Sequence, residues 1–472
     1  MGVLAVGCRV VLARPAHFLA RTAIVMAPGN ERDPKKSSVT TSPIDTQVGD
    51  PQFPVTPVTI IESNRLWAKI GLLSFGGPAA HIALMHREIV TQRAWLSEQQ
   101  FTNALSFCML LPGPEAMQLA TYSGWRLHGV RGGLLAGGLF ILPGALVMLV
   151  LAIGYVYFGT IGWVVSLFTG LKAGISVIVL QALINLAKRA LTQFTDWLIA
   201  IAAFVGIFFA NVPFPLIIAS AALYGFYASK ALNDQSSIIS LPDKRTSYMT
   251  LVSWMALWWV PIFIIDLVFD NNQLAAIGYF FSKLAVVTFG GAYAVLAYMA
   301  QDVVNHLNWL QPGTMMDGLG LAESTPGPLI LVTEFVGFIA AFNTGGLASG
   351  IAGAMVALWA TFIPCFLWIF LGAPYIEWLT SQPRLRGALA AIMAAVVGVI
   401  ANLFVWFVLN ILFGELDAEQ YGPVSIIIPD VTTFNLTIFA IAAICGAQTF
   451  YRKAGLFKIL ATSGILGLIF GG

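Results

Sequence analysis

The sequence predicts an all-α polytopic membrane protein: two inverted six-helix repeats joined by an extra transmembrane helix, about 13 crossings in all. Three observations lead there. The chain is 58% hydrophobic and 10% charged, with a mean hydropathy of +0.83, where a soluble domain carries roughly 25% charged residues. Apolar blocks long enough to cross a hydrocarbon core of roughly 30 Å follow one another from residue 63 onward. Finally, short motifs recur at a spacing of 214 residues. Phe75-Gly76-Gly77 returns as Phe289-Gly290-Gly291, and Pro112-Gly113-Pro114 returns as Pro326-Gly327-Pro328. Lys69 and Lys283, Glu88 and Asp302, Trp95-Leu96 and Trp309-Leu310 keep the same spacing. Such constancy marks a tandem duplication, and a duplicated polytopic chain points first to transport along a pseudo-symmetric pathway.

Residues 1–62 form a polar tail, rich in Pro, Thr and Ser from Asp33 to Thr59, that is expected to be disordered. Its first 30 residues hold Arg9, Arg14 and Arg21 and no acid, which resembles an organellar presequence. A translation start at Met26 is the reading we favour. The first repeat, residues 63–232, has apolar blocks near 66–85, 101–121, 134–158, 161–186, 197–211 and 213–229. A linker, 233–273, ends in an extra apolar block at 253–269. The second repeat, 274–472, has blocks at 275–300, 315–341, 347–373, 387–413, 433–448 and 455–471. The last two blocks of each repeat are short and read equally well as helical hairpins.

An even number of blocks per repeat would leave two directly joined repeats parallel. The extra block at 253–269 shifts the second by one crossing and inverts it. With the N-terminus in the cytoplasm, the inside loops hold Arg126, Arg131, Lys188, Arg189, Lys230, Lys244, Arg245, Arg384, Arg386, Arg452 and Lys453. The outside loops then hold Arg87 and Arg93, together with an acidic loop at 414–432. That distribution is positive inside.

Lys69 and Lys283 each lie six residues before a Phe-Gly-Gly, inside an apolar block. An ammonium at membrane depth faces a wet cavity or a partner, or else snorkels to the interface. The matched pair favours one shared site approached from both sides. Proline breaks a helix and glycine lets backbone approach a ligand closely. Helices restarting after Pro114 and Pro328 would aim free N–H groups and a positive dipole end at the gap, which suits an anion. The candidate substrate-binding residues are therefore Lys69, Ser74, Gly76, Gly77, Gly113, Glu115, Gln118, Lys283, Thr288, Gly290, Gly291 and Gly327. A carboxylate beside an anion site repels the substrate unless protonated, so the unmatched Glu115, Glu323 and Glu334 are the candidate proton carriers. For Glu115 the competing role is a first-turn acid satisfying the helix dipole. Arg87 and Arg93 form either an anionic-substrate vestibule or, with Trp95, an interfacial anchor. His81, His128 and His306 lack partner spacing and read as surface or packing residues.

The stretches Lys69–Pro78, Trp95–Glu98 and Leu111–Tyr122, with Thr288–Gly291 and Glu323–Pro328 in the second repeat, resemble the chromate ion transporter (CHR) family in its long, two-domain form. The resemblance covers residues 63–472. It implies efflux of chromate driven by the proton-motive force, giving resistance, with sulfate as the natural competitor. Ala292 replaces Pro78 and Leu329 replaces Glu115 in the second repeat, so roles are expected to divide unequally between the halves.

The expected partners are a chromate- or sulfate-like oxyanion, protons, the bilayer of the plasma membrane and a second copy of the chain. A net charge of +2 suggests no nucleic acid. Cys8, Cys108, Cys365 and Cys445 have no metal spacing, and no cofactor fingerprint, nucleophile–base pair or P-loop supports an enzyme or an ATP-driven pump. The alternatives to a chromate exporter are a transporter of sulfate or another dianion and a passive anion channel. The channel would show flux independent of a titrating acid.

Overall fold

The breaks anticipated at Phe-Gly-Gly and Pro-Gly-Pro divide the first repeat into short helices before any long one forms. In a computed structural model that describes residues 58–229, 244–268, 272–289, 292–376, 382–421 and 424–471, α1 (Ile60–Leu73) starts at Thr59, whose side chain accepts from the Glu62 N–H. It stops at Ser74, and α2 (Gly77–Met85) continues into a π-helical turn, His86–Thr91. Ser97 and Gln100 make a reciprocal capping box that starts α3 (Glu98–Leu110), as the Ser97-Glu98 pair suggested. After Pro114 comes α4 (Glu115–Phe158), then α5 (Gly162–Ala190), α6 (Phe194–Phe208), α7 (Phe214–Ala228) and α8 (Lys244–Val268).

The second repeat reproduces this order. It has α9 (Asn272–Val287), α10 (Ala292–Gln301) with a π-helical turn Asp302–His306, and α11 (Pro312–Ser324). A 3-10 turn, Leu329–Leu331, leads into α12 (Val332–Gly372), followed by α13 (Pro383–Leu412), α14 (Leu436–Phe450) and α15 (Leu456–Phe470). One departure from the all-helical expectation lies in the acidic 414–432 segment, where β1 (Leu416–Tyr421) pairs antiparallel with β2 (Val424–Pro429), Leu416 opposite Pro429. The N-terminal tail up to residue 57 and residues 233–243 and 269–271 of the linker lie outside the described residues.

Neither α4 nor α12 is a single rod. Gly129 has φ 61 and ψ −154, and Gly346 has φ 71 and ψ −160, a reversal open to glycine and hardly to other residues. Each helix doubles back there into a short arm (115–127; 332–345) and a long arm (130–158; 347–372). The arms touch backbone to backbone at Gly124 against Gly132 and at Gly337 against Gly353.

The paired short helices fold back too, against the expectation of one continuous crossing per block. In a straight rod Lys69 and Glu88 would stand about 28 Å apart at 1.5 Å per residue, yet Lys69 Nζ lies 2.8 Å from Glu88 Oε1. The rings of Phe107 and Tyr122 come within 6.2 Å across the first Pro-Gly-Pro, and those of Phe280 and Tyr298 within 6.3 Å across the second Phe-Gly-Gly. Gly318 rests against the Phe335 ring across the second Pro-Gly-Pro. Four hairpins result: α1 with α2, α3 with the short arm of α4, α9 with α10, and α11 with the short arm of α12. Phe75-Gly76-Gly77 and both Pro-Gly-Pro motifs are hairpin tips: proline removes an N–H donor and glycine takes the positive φ of the turn.

The long arms of α4 and α12 run antiparallel, Gly133 against Phe370 and Gly137 against Phe366. Packing is exchanged between the repeats: α13 lies on α6 and α7, while α5 lies on α14 and α15. Small residues set these approaches, with Gly398 on Ala200, Gly225 on Gly387 and Gly174 on Ser463, as expected where lipid offers no hydrophobic drive between helices. The faces left outward are apolar, for example Leu257, Phe263, Ile264 and Leu267 on α8.

Candidate functional site

Ser74 and Thr288 occupy matched positions where α1 and α9 end. Each hydroxyl donates back to the carbonyl four residues earlier, Ile70 and Leu284 respectively. Because the helices end here, the Ser74 and Thr288 carbonyls have no helical donor, and both are used across the repeats. Gly327 N–H donates to the Ser74 carbonyl at 2.7 Å, and Gly113 N–H donates to the Thr288 carbonyl at 2.9 Å. The tip of each Phe-Gly-Gly hairpin is thus bonded to the tip of the other repeat's Pro-Gly-Pro hairpin, twice, in reciprocal fashion. Gly113 (φ +121) and Gly327 (φ +91) adopt backbone conformations that favour glycine, which is what turns their N–H groups toward these carbonyls.

The tips surround a narrow cavity, no wider than a water molecule, lined by Pro78, His81, Pro114, Glu115, Ala116, Pro328, Leu329 and Ile330. Two helix starts meet here. Pro114 caps the short arm of α4 without a side-chain bond, and Pro328 caps the 3-10 turn in the same way. The first N–H groups of such starts have no intrahelical acceptor, and both dipoles present positive ends. Beside them, Gln118 is fully buried and its amide donates to the Pro112 carbonyl at 2.7 Å. Its Oε1 has no hydrogen-bond partner among the described residues.

The structure brings Ser74, Gly113, Glu115, Gln118, Thr288 and Gly327 together, with Gly76 and Gly77 in the turn next to Ser74 (φ +93 and +77). Gly290 and Gly291 lie outside the described residues. It does not bring the lysines to the cavity. Lys69 is about half exposed and bonds Glu88, which also receives Arg93 Nη1 at 2.6 Å. Lys283 is exposed and lies over the Tyr298 ring, 5.4 Å from its centroid. The reason is helical phase: the stripe that packs inward carries Leu66, Trp67 and Ile70, so Lys69 points away from it. Burial opposes the Glu88 charge, but the bonds from Lys69 and Arg93 outweigh it and hold this carboxyl below its ordinary value.

Of the acids, Glu115 reaches the cavity wall. Glu323 is buried at the end of α11 and accepts from the Tyr293 hydroxyl at 2.8 Å. Glu334 is 1% exposed, and its Oε2 has no hydrogen-bond partner among the described residues. Sequence reasoning set His81 aside, yet the structure lines the cavity with it, its ring edge-on to Phe140 at 5.7 Å. Only its place three residues after Pro78, on the helix that leaves the break, could have flagged it. Tyr293, two residues past the second Gly-Gly, was missed for want of a counterpart, since Ala79 stands 214 residues earlier.

A family model described as "Chromate transporter" matches the chain twice, over residues 62–226 and 275–468. A probable chromate transport protein of Synechococcus elongatus is 30% identical over 343 residues, 72% of this chain and 83% of its own length. The chromate transport protein of Pseudomonas aeruginosa is 28% identical over 414 residues, 87% of this chain and 92% of its own. An uncharacterized transporter of Bacillus subtilis is 29% identical over 182 residues, 38% of this chain but 92% of its own, the length of one repeat. No solved structure matches.

Proposed function

The chain belongs to the chromate transporter family, and from that premise we propose that it carries chromate out of the cytoplasm by a secondary active mechanism and so gives chromate resistance. The observation that carries this reading is the reciprocal clasp of Gly113 on Thr288 and Gly327 on Ser74 around two uncapped helix starts. A tetrahedral dianion is bound there by backbone N–H groups of the Glu115 and Leu329 starts, with Ser74, Gln118 and Thr288 around it. Sulfate has the same shape and charge and competes. The two repeats, 63–232 and 274–472, are inverted about an axis in the membrane plane, as the antiparallel long arms support, and rock around the clasp to expose it to one face and then the other.

Since the four hairpins tip inward and return, nine crossings replace the expected thirteen: the two long arms, α5, α6, α7, α8, α13, α14 and α15. Parity is unchanged, because each repeat has two such hairpins and so loses two crossings. The N-terminus stays cytoplasmic, and Arg87 and Arg93 move to the cytoplasmic face beside Arg126 and Arg131, which sharpens the positive-inside pattern. Lys69, Arg87 and Arg93 then form a cationic entrance for a cytoplasmic dianion, and Lys283 has the matching position on the outer face. Glu115, Glu323 and Glu334 are the coupling acids for protons. The chain resides in the plasma membrane, and two copies pair.

Outward movement of two negative charges across 100 mV is worth about 4.6 kcal/mol, so the membrane potential alone favours export. The test is radiolabelled chromate uptake into inverted plasma-membrane vesicles, with and without a pH gradient and with sulfate as competitor. Uptake that requires the protein, falls with sulfate and responds to the gradient is expected. Flux with no gradient response would leave a passive channel.

A further inference from the structure

Lys172 sits well inside α5, in a stretch the motif repeat does not touch. Its Nζ lies 3.2 Å from Asp317 Oδ1 on α11, with side-chain exposures of 23% and 9%. The Tyr155 hydroxyl, on the long arm of α4, donates to the other oxygen, Oδ2, at 2.9 Å. Gly313, one turn back on α11, leaves the space beside Lys172 Nζ open: a Cβ there would stand 3.7 Å from it. Two donors from one repeat therefore converge on the two oxygens of one carboxylate from the other. Phe335 against Gly318 and Ile175 against Gly320 make the adjoining walls apolar. The ionisable groups that face Asp317 are Lys172 and Tyr155. The charged residues on the other elements packed against α11 are Glu334 on α12 and Arg384 and Arg386 at the start of α13.

This cluster is apart from the clasp. Asp317 stands seven residues before the end of α11, about 10 Å from the break at 1.5 Å per residue. Tyr155 stands eleven residues beyond Gly144, which touches the Pro326 carbonyl, about 16 Å along the helix. The cluster lies between the clasp and the membrane face at which α11 begins. It is one-sided, since the residue 214 positions before Asp317 is the neutral Asn103.

We propose that Lys172 and Tyr155 form a second oxyanion station on the transport route, and that the Asp317 carboxylate is a tethered anion occupying it. A buried ammonium needs an anionic partner, and a carboxylate and a tetrahedral oxyanion offer it the same kind of oxygen. Protonation of Asp317 neutralises the tethered occupant and frees Lys172 for the travelling dianion. Proton binding at Asp317 and oxyanion binding at Lys172 thus reinforce one another by linkage. The one-sided placement confines this proton-linked step to a single face of the membrane. The inference rests on the reading that the chain moves oxyanions.

The test is equilibrium binding of radiolabelled sulfate, which stays a dianion through the range used, to the purified full-length protein between about pH 6 and pH 8, on either side of neutrality. The wild type is expected to bind more tightly as pH falls. Asp317→Asn is expected to bind roughly tenfold more tightly than wild type at pH 8 and to show a weaker pH dependence, the remainder belonging to Glu115 at the clasp. Lys172→Met/Asp317→Leu together remove both charges and keep an apolar packing surface, so this variant serves where Asp317→Asn fails to fold. It is expected to bind roughly tenfold more weakly than wild type at pH 6. Wild-type affinity and pH dependence in either variant overturns the station. If the wild type binds neither sulfate nor chromate, the oxyanion reading itself fails instead.

Discussion

A methyl group at either Pro-Gly-Pro glycine should stop transport without unfolding the protein. Gly113 holds φ +121, and a Cβ there would stand 2.9 Å from both Cys365 Sγ and Gln118 Nε2. The backbone strain of a side chain in that region is of order 1–3 kcal/mol. Displacing Gln118 also endangers its bond to the Pro112 carbonyl, worth about 0.5–1.5 kcal/mol. The whole is about 2–4 kcal/mol, which leaves a typical native stability of roughly 5–15 kcal/mol in hand. The strain falls on the clasp, where the repeats must part and rejoin. If it is borne by one step of the cycle, that step slows by roughly 30- to 1,000-fold. Gly327→Ala meets softer neighbours, Leu331 Cδ1 at 3.1 Å and Gly144 Cα at 3.4 Å. Strain alone then gives roughly 5- to 150-fold. Gly138→Ala is the control, since a Cβ there meets nothing within 4 Å. The assay is the initial rate of radiolabelled chromate uptake into inverted vesicles, normalised to protein abundance. Gly113→Ala and Gly327→Ala transporting as fast as Gly138→Ala would refute the role of the clasp.

Other consequences follow from the same geometry. Glu115→Gln keeps the shape of the cavity wall but cannot release a proton, so sulfate-competed chromate exchange should persist while the response to an imposed pH gradient falls. Unchanged gradient-driven uptake would move coupling elsewhere. Glu88, with its carboxyl held below its ordinary value, contributes stability that is complete above the unfolded carboxylate pKa of about 4.3 and is lost as pH falls through the lower folded value. The thermal midpoint of the purified wild type should therefore drop on acidification below about pH 4, and Glu88→Gln should flatten that drop. An equally steep fall in the variant would show that the Lys69–Glu88–Arg93 network is not its source. Cysteines placed singly at Arg93 and Asn308 should be labelled from opposite faces, the Arg93 position from the cytoplasm. Labelling from one face would remove the inversion.

The helix breaks were legible because glycine and proline act locally: a missing N–H or a missing Cβ changes backbone preference whatever surrounds it. The Ser97 cap, the spans at 134–158 and 161–186 and the position of Glu115 were legible on the same ground. The direction in which the chain leaves each break was not, because a turn residue permits a reversal without requiring it. Only the closeness of Lys69 to Glu88 and of Phe107 to Tyr122 reveals the reversal. The same limit misplaced the lysines. A repeat shows that Lys69 and Lys283 are equivalent, but the face each one takes depends on the stripe that packs inward.

The sequence by itself determined the membrane class, the duplication, the extra helix between the repeats and the places where helices break and restart, all properties of composition or of neighbouring residues. Tertiary structure decided which tips meet, that the two repeats grip each other through Ser74–Gly327 and Gly113–Thr288, and that Lys172 finds Asp317. These are contacts between residues more than a hundred positions apart, and their partners are chosen by how the helices pack, which no local pattern encodes.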